Sequence, residues 1–94
     1  MQVQLMTPDE HDRAAAYSQN ITHVLGRALN EFNLQPSVIA TKGYNSLLTI
    51  VNQTCNDSLE LFHDMLHYNP YSADMLQQLQ DTFVLAINDF RKYI

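Results

Sequence analysis

Four histidines and one cysteine are the residues of this 94-residue chain best suited to proton transfer, substrate hydrogen bonding or metal ligation. His11 is followed directly by Asp12, and His23 lies twelve residues further on. An imidazole donates or accepts at either ring nitrogen according to its protonation, so each can hold a hydroxyl or a carboxylate. If one helix carries both, twelve residues set them about 18 Å apart. They cannot share a metal ion, but they can flank one elongated site. His63 and His67 stand four residues apart, the spacing of helical zinc sites. The residue after His63 is Asp64, where the protease motif requires Glu, and its carboxylate is one methylene short of a metal-bound water. The pair reads as a solvated helix face, and no metal is expected. Cys55 has no partner for an internal disulfide and reads as a small buried hydrophobe in a reducing compartment.

Helices must position these groups. Thr7 can cap a helix, Pro8 suits its first position, and Glu10, three residues after Thr7, completes a capping box, so a helix is predicted to begin at Pro8. Ala14, Tyr17, Ile21, Val24, Leu25, Ala28, Leu29 and Phe32 then recur at three- and four-residue steps, one face of a single long helix. Gly26 inside it marks either a close backbone contact or a kink. Asn33 to Gln35 read as a turn, and Pro36 to Ala40 as a short helix ended by Lys42-Gly43. A helix from Tyr44 to Cys55 follows, then one from an Asn56-Asp57-Ser58 cap to Tyr68, broken by Asn69-Pro70. The last helix opens near Ser72 and carries Met75, Leu76, Leu79, Phe83, Ala86, Ile87 and Phe90 on one side. The expected fold is all-α, a small bundle of two long and about three shorter helices, with a short strand pattern over Val3 to Met6 at its start. Val3 and Leu5, alternating with Gln2 and Gln4, read as a short strand that needs a partner sheet, and residues 7–94 as a single helical domain.

Composition narrows the function. Apolar residues form 46% of the chain and charged residues only 16%, which excludes a disordered tail and leaves little charge to cover a monomer. A net charge of −5 without a basic cluster argues against nucleic acid. No apolar run is long enough to span a membrane and no secretory signal is present, so the expected location is cytoplasmic. There is no Gly-rich phosphate loop and no Ser-His-Asp order. Without further comparison, the residues describe a helical interaction domain, and a stand-alone adaptor is the alternative to an enzyme part.

The run Met6-Thr7-Pro8-Asp9-Glu10-His11-Asp12-Arg13, with Ala16-Tyr17, Gln19 and His23, resembles the start of the C-terminal helical domain of prephenate and arogenate dehydrogenases. Gly43-Tyr44 before an apolar helix, Asn56-Asp57 before Leu59 and Phe62, and Asn69-Pro70 before Met75-Leu76 follow the same layout. The resemblance implies a homodimer formed through the long helices. It also implies a Rossmann domain on the N-terminal side that binds NAD or NADP, and oxidative decarboxylation on the route to tyrosine. Val3 to Met6 would then end the last strand of that domain, and this chain would be an excised domain or a truncated relative. His23 takes the place of the substrate-side histidine, with His11 and Asp12 near the cleft mouth. The layout also has an arginine on the helix after the Gly-aromatic step. Tyr44 to Cys55 contains none, and Thr49, which stands about there, cannot replace a bidentate guanidinium. No cofactor is expected on these residues themselves, and without a bound nicotinamide the chain alone should have no dehydrogenase activity.

Overall fold

The computed structural model describes residues 5–94, and among them every regular element is helical. The helices are α1 (Pro8–Ala15), α2 (Ile21–Glu31), α3 (Lys42–Thr54), α4 (Leu59–His67) and α5 (Ser72–Phe90). A π-turn (Ala16–Asn20) joins α1 to α2, and a short 3-10 turn (Arg91–Tyr93) follows α5. The expected all-α class holds. The strand expected over Val3 to Met6 falls mostly outside the described residues, and Leu5 and Met6 carry no strand pairing.

Local chemistry sets the starts. Thr7 Oγ1 accepts the Glu10 amide at 3.1 Å, Thr41 Oγ1 that of Tyr44 at 3.2 Å, and Ser58 Oγ that of Leu61 at 3.1 Å. Each occupies one of the amides that a helix start leaves without a partner. Helix α2 ends in a Schellman arrangement. Asn33 adopts φ 67°, Leu34 N–H donates to Leu29 O at 3.3 Å, and Asn33 N–H donates to Asn30 O at 3.0 Å.

Two sequence expectations are corrected. Pro36 to Ala40 form no helix: the stretch is too short to repay nucleation, and Val38 and Ile39 are fully or nearly fully exposed, with no surface to bury against. The Tyr44 hydroxyl donates to Gln35 O instead, tying this connection to α3. Lys42-Gly43 therefore open α3 from the Thr41 cap and do not end a helix. The long first helix is present, but the π-turn interrupts it.

Gly26 resolves in favour of close contact. It is buried where α2 crosses α3, and a methyl there would overlap the Thr54 hydroxyl and lie 2.8 and 2.9 Å from Thr54 Cβ and Cγ2. The apolar core is otherwise thin, with Ala16, Val51 and Met75 buried and Asn20, Thr54 and Ser72 the buried polar residues. The accessible surface is 7699 Å², against about 5,500 Å² for a compact monomer of this mass. The radius of gyration of 15.9 Å likewise exceeds the roughly 12 Å of a compact chain of this length. Large apolar side chains contribute to the excess. Phe83, Ile87 and Phe90 on the outer half of α5 are 47%, 46% and 62% exposed. Phe83 also lines a 340 Å³ groove with Thr22, Leu25, Leu29, Leu47 and Ile50.

Candidate functional site

The three residues singled out from the sequence lie on the α1–α2 rod. His11 is exposed on α1, its Nδ1 3.8 Å from Asp12 Oδ1. Asp12 is half-buried, and its carbonyl accepts the Asn69 side-chain amide at 2.8 Å. His23 is half-buried on α2, with Nδ1 enclosed and unpartnered. A ring with its proton on Nε2 leaves no enclosed N–H without an acceptor. That tautomer offers a donor to a hydroxyl or carboxylate.

The rod is fixed from both sides of His23. Asn20, one turn before it, is buried and donates to Met65 O of α4 at 3.5 Å. Arg27, one turn after it, donates to Asp57 O at 2.7 Å, and its guanidinium carbon lies 5.2 Å from the Phe62 ring centre. This stacked cation over an aromatic face ties α2 to the start of α4. At the other end, Asn69 bridges two elements. Its amide nitrogen holds the Asp12 carbonyl while its Oδ1 accepts the Tyr71 amide at 2.9 Å. The Tyr71 hydroxyl donates to Asp9 Oδ1 at 2.6 Å, and this hydrogen bond raises the phenol above its ordinary pKa.

Asn20, Arg27, Asn69 and Tyr71 were not singled out from the sequence. Asn69 reads there as a breaker before Pro70, and its Asx turn was the available signal. Nothing in the local pattern pairs residues 57 positions apart.

Other candidates fall elsewhere. His63 and His67 are exposed on α4, and among the described residues no group of three His, Cys, Asp or Glu side chains is placed to hold a metal. Thr49 is exposed, its hydroxyl bonded to Asn45 O at 3.0 Å within α3. Cys55 is partly buried, its thiol 3.8 Å from Gly26 O. A second, more open groove of about 540 Å³ beside α1 is lined by Met6, Glu10, Arg13, Ala14, Tyr17 and Gln78. No described helix is long and apolar enough to cross a membrane.

Both glycines lie inside helices, Gly26 against Thr54 and Gly43 in the first turn of α3. Neither stands in a strand-to-helix turn of the kind that cradles a pyrophosphate.

Residues 28–89 match the family described as TYRAAT1-like, C-terminal domain. The chain is 42% identical over 78 residues to arogenate dehydrogenase 2, chloroplastic, of Arabidopsis thaliana, a span covering 83% of this chain and 22% of that protein. It is 41% identical over 78 residues to arogenate dehydrogenase 1, chloroplastic, of the same plant, covering 83% of this chain and 12% of that protein. The chain thus spans less than a quarter of the length of either relative. Both names place those relatives in the chloroplast and lend the cytoplasmic expectation no support. The family match reaches from α2 almost to the end of α5, and the chain therefore belongs to the TYRAAT1-like C-terminal domain family, in keeping with its resemblance to the helical domain of prephenate and arogenate dehydrogenases.

Proposed function

We propose that this chain supplies the helical, substrate-closing domain of an arogenate dehydrogenase-like enzyme of aromatic amino acid biosynthesis. The observation that carries the reading is the 42% identity over 83% of the chain to a protein named for that activity. In this role His23 presents Nε2–H to a hydroxyl or carboxylate of the substrate, while His11 and Asp12 border the open end of the cleft. NAD or NADP binds a Rossmann domain on the N-terminal side and supplies the hydride acceptor. The helical domain orients the substrate and excludes water.

The reading includes a homodimer built through the long helices. The surface in excess of a compact monomer is about 2,000 Å², within the range that one protomer of an obligate dimer buries. The exposed Phe83, Ile87 and Phe90 face is the apolar part of it. Sedimentation at tens of micromolar tests this point, and a monodisperse monomer refutes it.

His23→Ala in the dehydrogenase that carries this domain tests the site. The expected result is a loss of kcat/KM with the melting temperature nearly unchanged, and an unaltered kcat/KM with arogenate and with prephenate overturns the assignment. The same assay run on these 94 residues alone is expected to give no turnover. Fractionation decides between the cytoplasm and the plastid in which the named relatives reside.

A further inference from the structure

We propose that the π-turn at Ala16–Asn20 is a positioning device that rotates His11 onto the face of the rod occupied by His23, and that the Ser18 and Thr22 hydroxyls hold it. This rests on the reading of His11 and His23 as parts of one cleft.

The geometry follows from counting residues per turn. In an unbroken α-helix twelve residues advance the azimuth by about 120° beyond whole turns, which sets His11 and His23 on different sides of the rod. A single π-turn absorbs one extra residue, so twelve residues turn the chain only as far as eleven would, and the offset falls to about 20°. The π-type bond is present: Ile21 N–H donates to Ala16 O, five residues back. Both histidines therefore face one way, still about 17 Å apart along the axis. The spacing suits the two ends of an elongated cleft.

This sequence places hydroxyl donors on two backbone carbonyls, one just before the turn and one within it. Ser18 Oγ donates to Ala14 O at 2.6 Å, and Thr22 Oγ1 donates to Ser18 O at 2.8 Å. Hydroxyls that bond back four residues are a recognised cause of local helix distortion. The two ends of the rod are anchored independently. Asp9 and Asp12 are held by Tyr71 and Asn69, and Asn20 and Arg27 by α4 and its approach. The turn takes up the extra residue between them, so that both anchors are met with His11 and His23 on one face.

Deletion of Gln19, an exposed residue of the turn, tests the device. A structure of the deleted chain is expected to show continuous i to i+4 bonding from α1 into α2 with His11 still on the face of His23, because eleven residues of α-helix turn the chain as far as twelve that include the π-turn. In the dehydrogenase carrying this domain, assayed with arogenate, His11→Ala is expected to lower kcat/KM by about tenfold in the parent background. In the deletion background, where the two histidines keep one face, it should lower it by as much. Loss of the His11→Ala effect in the folded deletion variant overturns the proposal, as does a π-turn that persists after the deletion. If neither His11→Ala nor His23→Ala affects the parent enzyme, the cleft reading fails instead, and the structure of the deleted chain still decides whether the turn sets the register. Ser18→Ala with Thr22→Ala keeps the residue count and guards against a deletion variant that does not fold. Amide exchange at Ile21 should then rise about fivefold, as expected for loss of a typical hydrogen bond, and unchanged exchange refutes the role of the hydroxyls.

Discussion

Gly26→Ala should be among the most damaging single-methyl additions available to this chain. On propensity alone it should stabilise α2 by about 1 kcal/mol. The crossing with α3 reverses the sign. The added carbon would overlap the Thr54 hydroxyl and lie within 3 Å of Cβ and Cγ2, where comfortable contacts between carbons begin near 3.5 Å. Thr54 cannot rotate away freely. It is 4% exposed, and its hydroxyl is bonded to Ile50 O at 2.8 Å and Val51 O at 3.2 Å. The relief must come from separating the two helices. Overpacking of this kind costs about 1–3 kcal/mol, and three atoms inside contact distance put it at the upper end. After the propensity gain the net loss is about 2 kcal/mol, which for a domain of this size lowers the melting temperature by about 8–16 °C. Circular dichroism melts at one fixed protein concentration measure it, because self-association would otherwise shift the midpoint. Thr54→Ala in the Gly26→Ala background should recover part of the loss, since it removes the hydroxyl and Cγ2 but keeps Cβ. Thr54→Ser, which retains the hydroxyl, should recover little. A Gly26→Ala protein as stable as the parent refutes the close crossing.

Three further outcomes are expected. Asn69→Ala removes a donor to Asp12 O and an acceptor for the Tyr71 amide, and should cost about 1–3 kcal/mol in urea unfolding, with faster amide exchange in α1 and at Tyr71. Tyr71 should titrate above the usual phenol range, because its hydroxyl donates to Asp9 and ionisation would break that bond. Its pKa is raised in the folded state, so its contribution to stability is present below the ordinary phenol pKa near 10 and is lost as pH rises through the raised value. Ultraviolet titration of the parent against Tyr71→Phe checks the assignment, and Tyr71→Phe should flatten the alkaline loss of stability. Zinc should leave the melting temperature unchanged, since His63 and His67 have no third ligand beside them among the described residues, and a rise of several degrees would refute this.

What could be read from the sequence divides by range. Caps act over three residues, so Thr7 and Ser58 announce their helices directly, and the apolar steps from Ala14 to Phe32 correctly place one continuous rod. Pro36 to Ala40 misled because proline and glycine signals say where a helix is allowed, whereas the decision rests on whether Val38 and Ile39 find a surface. The π-turn was hidden for a related reason. One extra residue in a helix barely disturbs a three-and-four pattern, so periodicity registers the rod and misses its change of phase. That change of phase bears directly on the site. Counting residues gave the distance from His11 to His23 and ruled out a shared metal, but the proposed common face of the two rests on the backbone bond from Ile21 to Ala16, which no residue count reveals. Asp12 and His23 are each fixed by residues far along the chain, Asn69 at one end and the α4 contacts of Asn20 and Arg27 at the other. The site is therefore a property of how the α4–α5 corner grips both halves of the rod, and a substitution at that corner should move the two histidines relative to each other without touching either.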